Sequence, residues 1–207
     1  MSLSKDLENL KYVKDIFNQL AAGRHIDASA DAEWWNALQG EHKDDYAILF
    51  KHLGKKLEID PRGFAYFNFD EDANQKAAQQ VALLFLLILD KKYADGADLL
   101  RFTSWILDPV FFAELREKNK ELLVQEKLDS DEAWNRVVHK AETLGFMNKD
   151  DSCYTMMLPC WRFIDLYQDL SDSETDNAVV DDTNEDSEDL VEEDDVDGIG
   201  DPIRLEH

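Results

Sequence analysis

Near the end of the chain the residues that could build a core run out, so the fold must be made by what precedes. From Asp169 to His207 there are 17 Asp or Glu and one basic residue, Arg204, a net charge of −16. The scattered Val, Leu and Ile in this stretch are too few to offset the conformational entropy lost on ordering, and residues 171–207 are expected to be a disordered acidic tail. The whole chain carries −24, which leaves −8 for residues 1–168. That body is rich in Leu, Phe, Trp and Tyr. Its length suits one large domain or two small ones.

The periodicity of the body is first helical. Leu7, Leu10, Val13, Phe17 and Leu20 fall at three- and four-residue steps and predict a helix from about Lys5 to Ala22, with Ser4 to cap it and Gly23 to end it. Arg24-His25-Ile26 is a short extended link. Ser29 can cap a second helix carrying Trp34, Trp35 and Leu38, which stops at Gly40. A third, about Glu41 to Leu53, places Tyr46, Leu49, Phe50 and Leu53 on one face, with Gly54 behind it. The period then changes: Leu57 and Ile59 alternate with polar residues. Asp60-Pro61-Arg62-Gly63 has turn chemistry, and Phe64 to Phe69 follows as a strand. Three helices and a hairpin outline a winged helix.

The same order recurs after a break near Asp70-Glu71-Asp72. Long apolar runs predict a helix over about Asn74 to Tyr93, closed by Gly96, and another over Ala97 to Leu107. Asp108-Pro109 opens a helix with Phe111, Phe112, Leu115 and Leu122. Asp129 and Glu132 have capping-box spacing before a helix with Trp134, Val137, Val138, Ala141 and Leu144, ended by Gly145. Residues 146–148 and 153–157 predict a second hairpin around Lys149-Asp150-Asp151-Ser152. Pro159 starts a last helix with Trp161, Ile164 and Tyr167. The expected architecture is mainly α with small β-hairpin wings: winged-helix domains at 1–72 and 73–170, then the tail.

Chemistry is harder to find. His25, His42, His52 and His139 show no HExxH-like spacing, and there is no GxGxxG, Walker lysine loop or GxSxG. Acidic residues are so abundant that any carboxylate pair is uninformative. Glu193 to Arg204 superficially resembles a calcium loop, but Arg204 stands where the bidentate glutamate is needed. Cys153 and Cys160 fit neither a disulfide framework nor a metal pattern. No catalytic residue, cofactor or metal is expected, and the chain is read as non-enzymatic. His25 is expected to satisfy helix-terminal carbonyls rather than face a partner.

The longest apolar stretch, Val81 to Leu89, is too short to span a membrane. With no apolar leader after Met1, the chain is expected to be cytoplasmic. Leu205-Glu206-His207 resembles the start of an affinity tag and is given no biological weight. Lys51, Lys55, Lys56 and Arg62 form the most basic stretch of the first lobe, and Arg136 and Lys140 lie on the late helix of the second; these are the candidate DNA-proximal residues. The favoured reading is a solvated face, since a net charge of −24 repels phosphate at long range. Trp34 and Trp35 are adjacent and point about 100° apart on a helix. One can therefore leave the core, and both are candidate partner-binding anchors.

Laid out this way, residues 12–168 resemble the MukE/MksE group, small non-SMC subunits of bacterial condensin-like complexes. Gly23-Arg24-His25-Ile26, Pro61-Arg62-Gly63-Phe64-Ala65-Tyr66, Leu144-Gly145-Phe146 with the hairpin after it, and the acidic tail carry the resemblance. It implies a homodimer that binds a kleisin (MukF/MksF-like), which bridges the heads of an SMC-type ATPase (MukB/MksB-like). It also implies a nucleoid-associated role in chromosome organisation and segregation, or in plasmid defence. The best-known members carry several arginines on the late helix, whereas Glu142 and Thr143 precede Leu144 here, so DNA contact is expected to be weak or made only within the complex. The alternative is a stand-alone winged-helix regulator or protein-interaction module.

Overall fold

A computed structural model describes residues 9–68 and 75–169. The expectations for Ser4, for the break at Asp70-Glu71-Asp72 and for the tail lie outside these residues.

Helix α1 spans Val13–Ala21, shorter than the periodicity suggested. Tyr12, at φ 57°, stands in the left-handed region and interrupts the helix on its N-terminal side. The Tyr46 hydroxyl donates to the Lys11 carbonyl and ties this lead-in to the body. Strand β1 follows at Ile26–Asp27, then α2 at Ala32–Gln39 and α3 at Lys43–His52. Ser29 does not cap α2; it turns back to the Asp27 carboxylate. Strands β2 (Lys56–Asp60) and β3 (Phe64–Asn68) form the hairpin, and β1 adds to it in the order β1-β3-β2. In the turn Gly63 N–H donates to Asp60 O at 3.1 Å, as the Pro and Gly positions suggested.

The second half repeats the order. Helix α4 spans Gln75–Ala94. The helix expected over Ala97 to Leu107 is instead a 3₁₀ segment, Leu99–Ser104, followed by strand β4 at Ile106–Leu107. Trp105 has extended dihedrals (φ −75°, ψ 132°), and the β-branched Ile106 continues them into the sheet. Helix α5 (Pro109–Lys118) begins where Asp108 caps it, accepting from Phe111 N–H at 2.7 Å. The chain breaks at Asn119 before α6 (Lys120–Gln125). Helix α7 (Asp131–Thr143) is capped by Ser130 rather than Asp129, through a 3.2 Å bond from Ala133 N–H. Strands β5 (Met147–Asp150) and β6 (Cys153–Met156) complete a sheet of order β4-β6-β5. Leu158–Cys160 is a 3₁₀ turn, and residues 161–169 form the last described helix, α8.

The protein is thus mainly helical with small antiparallel sheets, each half in winged-helix order. Each half has its own apolar cluster. Ile16, Leu20, Ile26, Leu38, Tyr46, Phe50, Ala65 and Phe67 fill the first. The second is larger and centres on α4, with Leu84, Phe85, Ile88 and Leu89 against Leu115, Trp134, Val138 and Phe146. Burying each Leu, Ile or Phe among them contributes roughly 1.5–3 kcal/mol. The described residues nonetheless fall within one compact unit, because a polar and aromatic seam joins the halves.

Candidate functional site: the seam and the exposed faces

The seam starts where α1 ends. Residues 24–27 leave the helix extended and cross to the C-terminal end of α7. The carbonyls of a helix's last turn lack intrahelical partners. Here His25 serves one of them twice: its backbone N–H donates to Leu144 O at 2.9 Å, and its ring Nδ1 lies 3.0 Å from the same oxygen. The other ring nitrogen, Nε2, lies 3.0 Å from Nη1 of Arg162. A guanidinium can only donate, so Nε2 accepts and Nδ1 carries the proton. The ring is 5 % exposed. Its centroid is 4.4 Å from Phe146 and 5.5 Å from Tyr66. Burial first, and then the Arg162 guanidinium, push the imidazole pKa down from 6.5 to about 3; the Leu144 bond opposes them. His25 is therefore neutral at physiological pH. It does satisfy a helix-terminal carbonyl, but one that is 119 residues away in sequence.

Asp27, 2 % exposed, is the second crossing point. Its Oδ1 accepts from the backbone N–H of Ser29 (2.7 Å) and of Ala30 (3.3 Å) and from the Ser29 hydroxyl (2.5 Å). Its Oδ2 accepts from Leu158 N–H at 2.8 Å, across the seam. Sequence reasoning missed this residue. The Asp-x-Ser spacing signals the local turn, but nothing in it foretells Leu158.

Arg62 closes the seam from the β2–β3 turn. Its guanidinium takes both oxygens of Asp165 at 2.8 Å and both of Asp60 at 2.8–2.9 Å, and lies 5.0 Å from the Trp161 ring centroid. Arg162 mirrors it, 4.3 Å over Tyr66. Two glycines permit the close approach. Gly145 sits at φ 80°, and a Cβ there would stand 3.1 Å from the His25 carbonyl oxygen. Gly63 sits at φ 109°, where a Cβ would meet Leu158 Cδ1 at 2.9 Å. The residues that make the chain recognisable therefore hold its two halves together.

The other candidate residues lie on outer faces. Trp34 and Trp35 are both half-buried against the N-terminal cluster, with Trp34 6.0 Å from the Arg24 guanidinium. Lys51 is exposed on α3, and Lys55 is half-buried just beyond it. Lys56 pairs with Glu58 at 2.6 Å. Arg136 and Lys140 are exposed four residues apart on α7, opposite Val137, Val138 and Ala141. Of the six basic candidates Arg62 stands apart, because two carboxylates of its own chain neutralise it.

A cleft of about 290 Å³ runs along the seam. Polar groups lining it already have partners within the chain: Arg24 pairs with Asp31 at 2.9 Å, and His139 Nδ1 lies 3.3 Å from the Glu142 carboxylate. Among the described residues no group of three or more His, Cys, Asp or Glu could hold a metal ion, and no helix is long and apolar enough to cross a membrane.

The family model described as condensin complex protein MksE matches residues 11–168. The chain belongs to the MksE family. The match spans both halves and every seam residue. No curated protein matches the chain. As a member of the MksE family the protein is a subunit of a condensin complex.

Proposed function

We propose that this MksE-family chain is a non-enzymatic accessory subunit that binds the kleisin of an SMC–kleisin complex and, as a homodimer, supports chromosome organisation and segregation or plasmid defence. The observation that carries the reading is the family match across both halves. The two halves are proposed to be winged-helix domains, 1–72 and 73–170, followed by a tail that serves the assembled complex. The seam supports a scaffolding role. Bonds from His25, Asp27 and Arg62 fix one half against the other, so a partner that spans both meets a preorganised surface and loses less freedom on binding. ATP hydrolysis then belongs to the SMC partner, and localisation is cytoplasmic, with the nucleoid.

The decisive experiment is co-expression with a kleisin and a coiled-coil ATPase from the same organism, sought first among the neighbouring genes, followed by sizing. Co-elution with the kleisin is expected. Its absence at moderate salt rejects the reading. Light scattering of the isolated protein should give a dimer mass, and a monomer mass at all micromolar concentrations rejects the homodimer.

A further inference from the structure

Arg162 differs from the other arginines of the seam in what it leaves unused. Arg24 pairs with Asp31, and Arg62 is shared by Asp60 and Asp165. Arg162, exposed near the start of α8, has no carboxylate within ion-pair distance among the described residues. Two carboxylates stand close to it by register, and both are turned elsewhere. Asp165, three residues along α8, goes to Arg62 at 2.8 Å. Glu58, the strand partner of Tyr66, goes to Lys56 at 2.6 Å.

What holds Arg162 leaves its charge in place. Its Nη1 donates to His25 Nε2 at 3.0 Å, and its guanidinium lies 4.3 Å from the Tyr66 ring centroid. The imidazole is itself fixed, because it is buried and its Nδ1 is committed to Leu144 O. A carboxylate in that place would orient the guanidinium and cancel its charge, as happens at Arg62. A neutral imidazole and an aromatic face orient it without cancelling anything. A guanidinium has five N–H donors in a rigid fork, and His25 takes one of them. His25 and Tyr66 come from the first half and Arg162 from the second, so the arrangement exists only where the halves are joined. A ligand then meets an arginine whose rotamer freedom is already lost, and its binding is opposed by less entropy.

We propose that Arg162 is a binding site for a carboxylate, the Asp or Glu side chain of a partner subunit, which the remaining N–H groups of the fork receive. A phosphate has similar chemistry, but duplex DNA brings many charges at once to a chain of net −24, whereas a side chain brings one. The proposal rests on the kleisin-binding reading only for the choice of partner in the second half of its test.

The first half titrates the nitrogen-labelled full chain at neutral pH with sodium acetate, and with sodium chloride at equal ionic strength. Acetate should give a saturating shift at Arg162 Nε–H and at the His25 ring nitrogens. It should do so at lower concentration than any shift at Arg136, the exposed arginine of α7. Read at His25, the response should vanish in Arg162→Gln and weaken in Arg162→Lys, which keeps the charge but not the fork. A response no greater than with chloride, or equal at Arg136, overturns the proposal and makes Arg162 an ordinary surface charge. Short duplex DNA that moves Arg162 at a lower phosphate concentration than the acetate needed overturns it in favour of nucleic acid. The second half measures affinity for a kleisin and a coiled-coil ATPase from the same organism. Arg162→Gln should weaken binding to one of them about tenfold, the equivalent of ~1.4 kcal/mol. Arg162→Lys serves in its place if thermal unfolding shows that Arg162→Gln is not folded. Undiminished affinity for both partners overturns the proposal and leaves the kleisin reading intact. Failure of the wild-type chain to bind the kleisin defeats that reading, and the acetate response and the ATPase affinity then decide this one.

Discussion

His25 should make the fold acid-sensitive by an amount that can be worked out. In the unfolded chain its imidazole takes a proton near pH 6.5; in the fold it does so only at about 3. Between those values the unfolded state binds the extra proton, so stability is complete above pH 6.5 and falls as pH drops towards 3. At pH 5 the unfolded imidazole is almost fully charged and the folded one almost neutral, a contribution lost of about 2 kcal/mol. Acidification below pH 3 would take the loss to about 5 kcal/mol. His25→Asn isolates this share, since it keeps a donor for Leu144 O and removes the titrating ring. Urea unfolding of both proteins at pH 7.5 and pH 5 should show the advantage of the wild type shrinking by about 2 kcal/mol. Imidazole nitrogen shifts should show His25 as the Nδ1–H tautomer, untitrated down to pH 4. An advantage independent of pH, or a His25 midpoint near 6.5, would refute the buried neutral imidazole.

Other expectations follow from the same seam. Gly145→Ala should cost about 1–3 kcal/mol by thermal or urea unfolding, since it combines a positive φ with a Cβ 3.1 Å from the His25 carbonyl; a neutral effect would mean that the halves can part there. Arg62→Ala should cost only about 1 kcal/mol, because its side chain is 34 % exposed and solvent screens the pair with Asp165; a loss of several kcal/mol would show that the pair is shielded. The isolated protein should bind short duplex DNA poorly at physiological salt, given its net charge of −24, and tight salt-resistant binding would favour the regulator alternative.

The long helices and both hairpins were legible because their apolar residues repeat often enough to fix a period. Strands β1 and β4 were not, since two residues have no period to read. The end of α1 was placed correctly, but the expected helix does not run through residues 9–12, because apolar spacing gives no sign that Tyr12 would turn left-handed. The recognisable segments were visible as sequence, but their purpose was not: His25 meets Leu144, Asp27 meets Leu158 and Arg62 meets Asp165, all more than 100 residues apart. Arg162 carried no signal at all, since one arginine on a helix does not announce that it will lie against His25 and Tyr66.

The central claim is that this condensin-complex subunit holds a kleisin chiefly by apolar contact. Exposed ion pairs contribute about 0–1 kcal/mol, and a buried aromatic or aliphatic anchor about 2 kcal/mol or more. The measurement is the affinity of the purified chain for a kleisin from the same organism at ~0.1 M and ~0.5 M salt, across which charge screening roughly halves its range. The account predicts a stable complex that weakens only modestly over that interval. A complex that dissolves at the higher salt, or none at either, would contradict it.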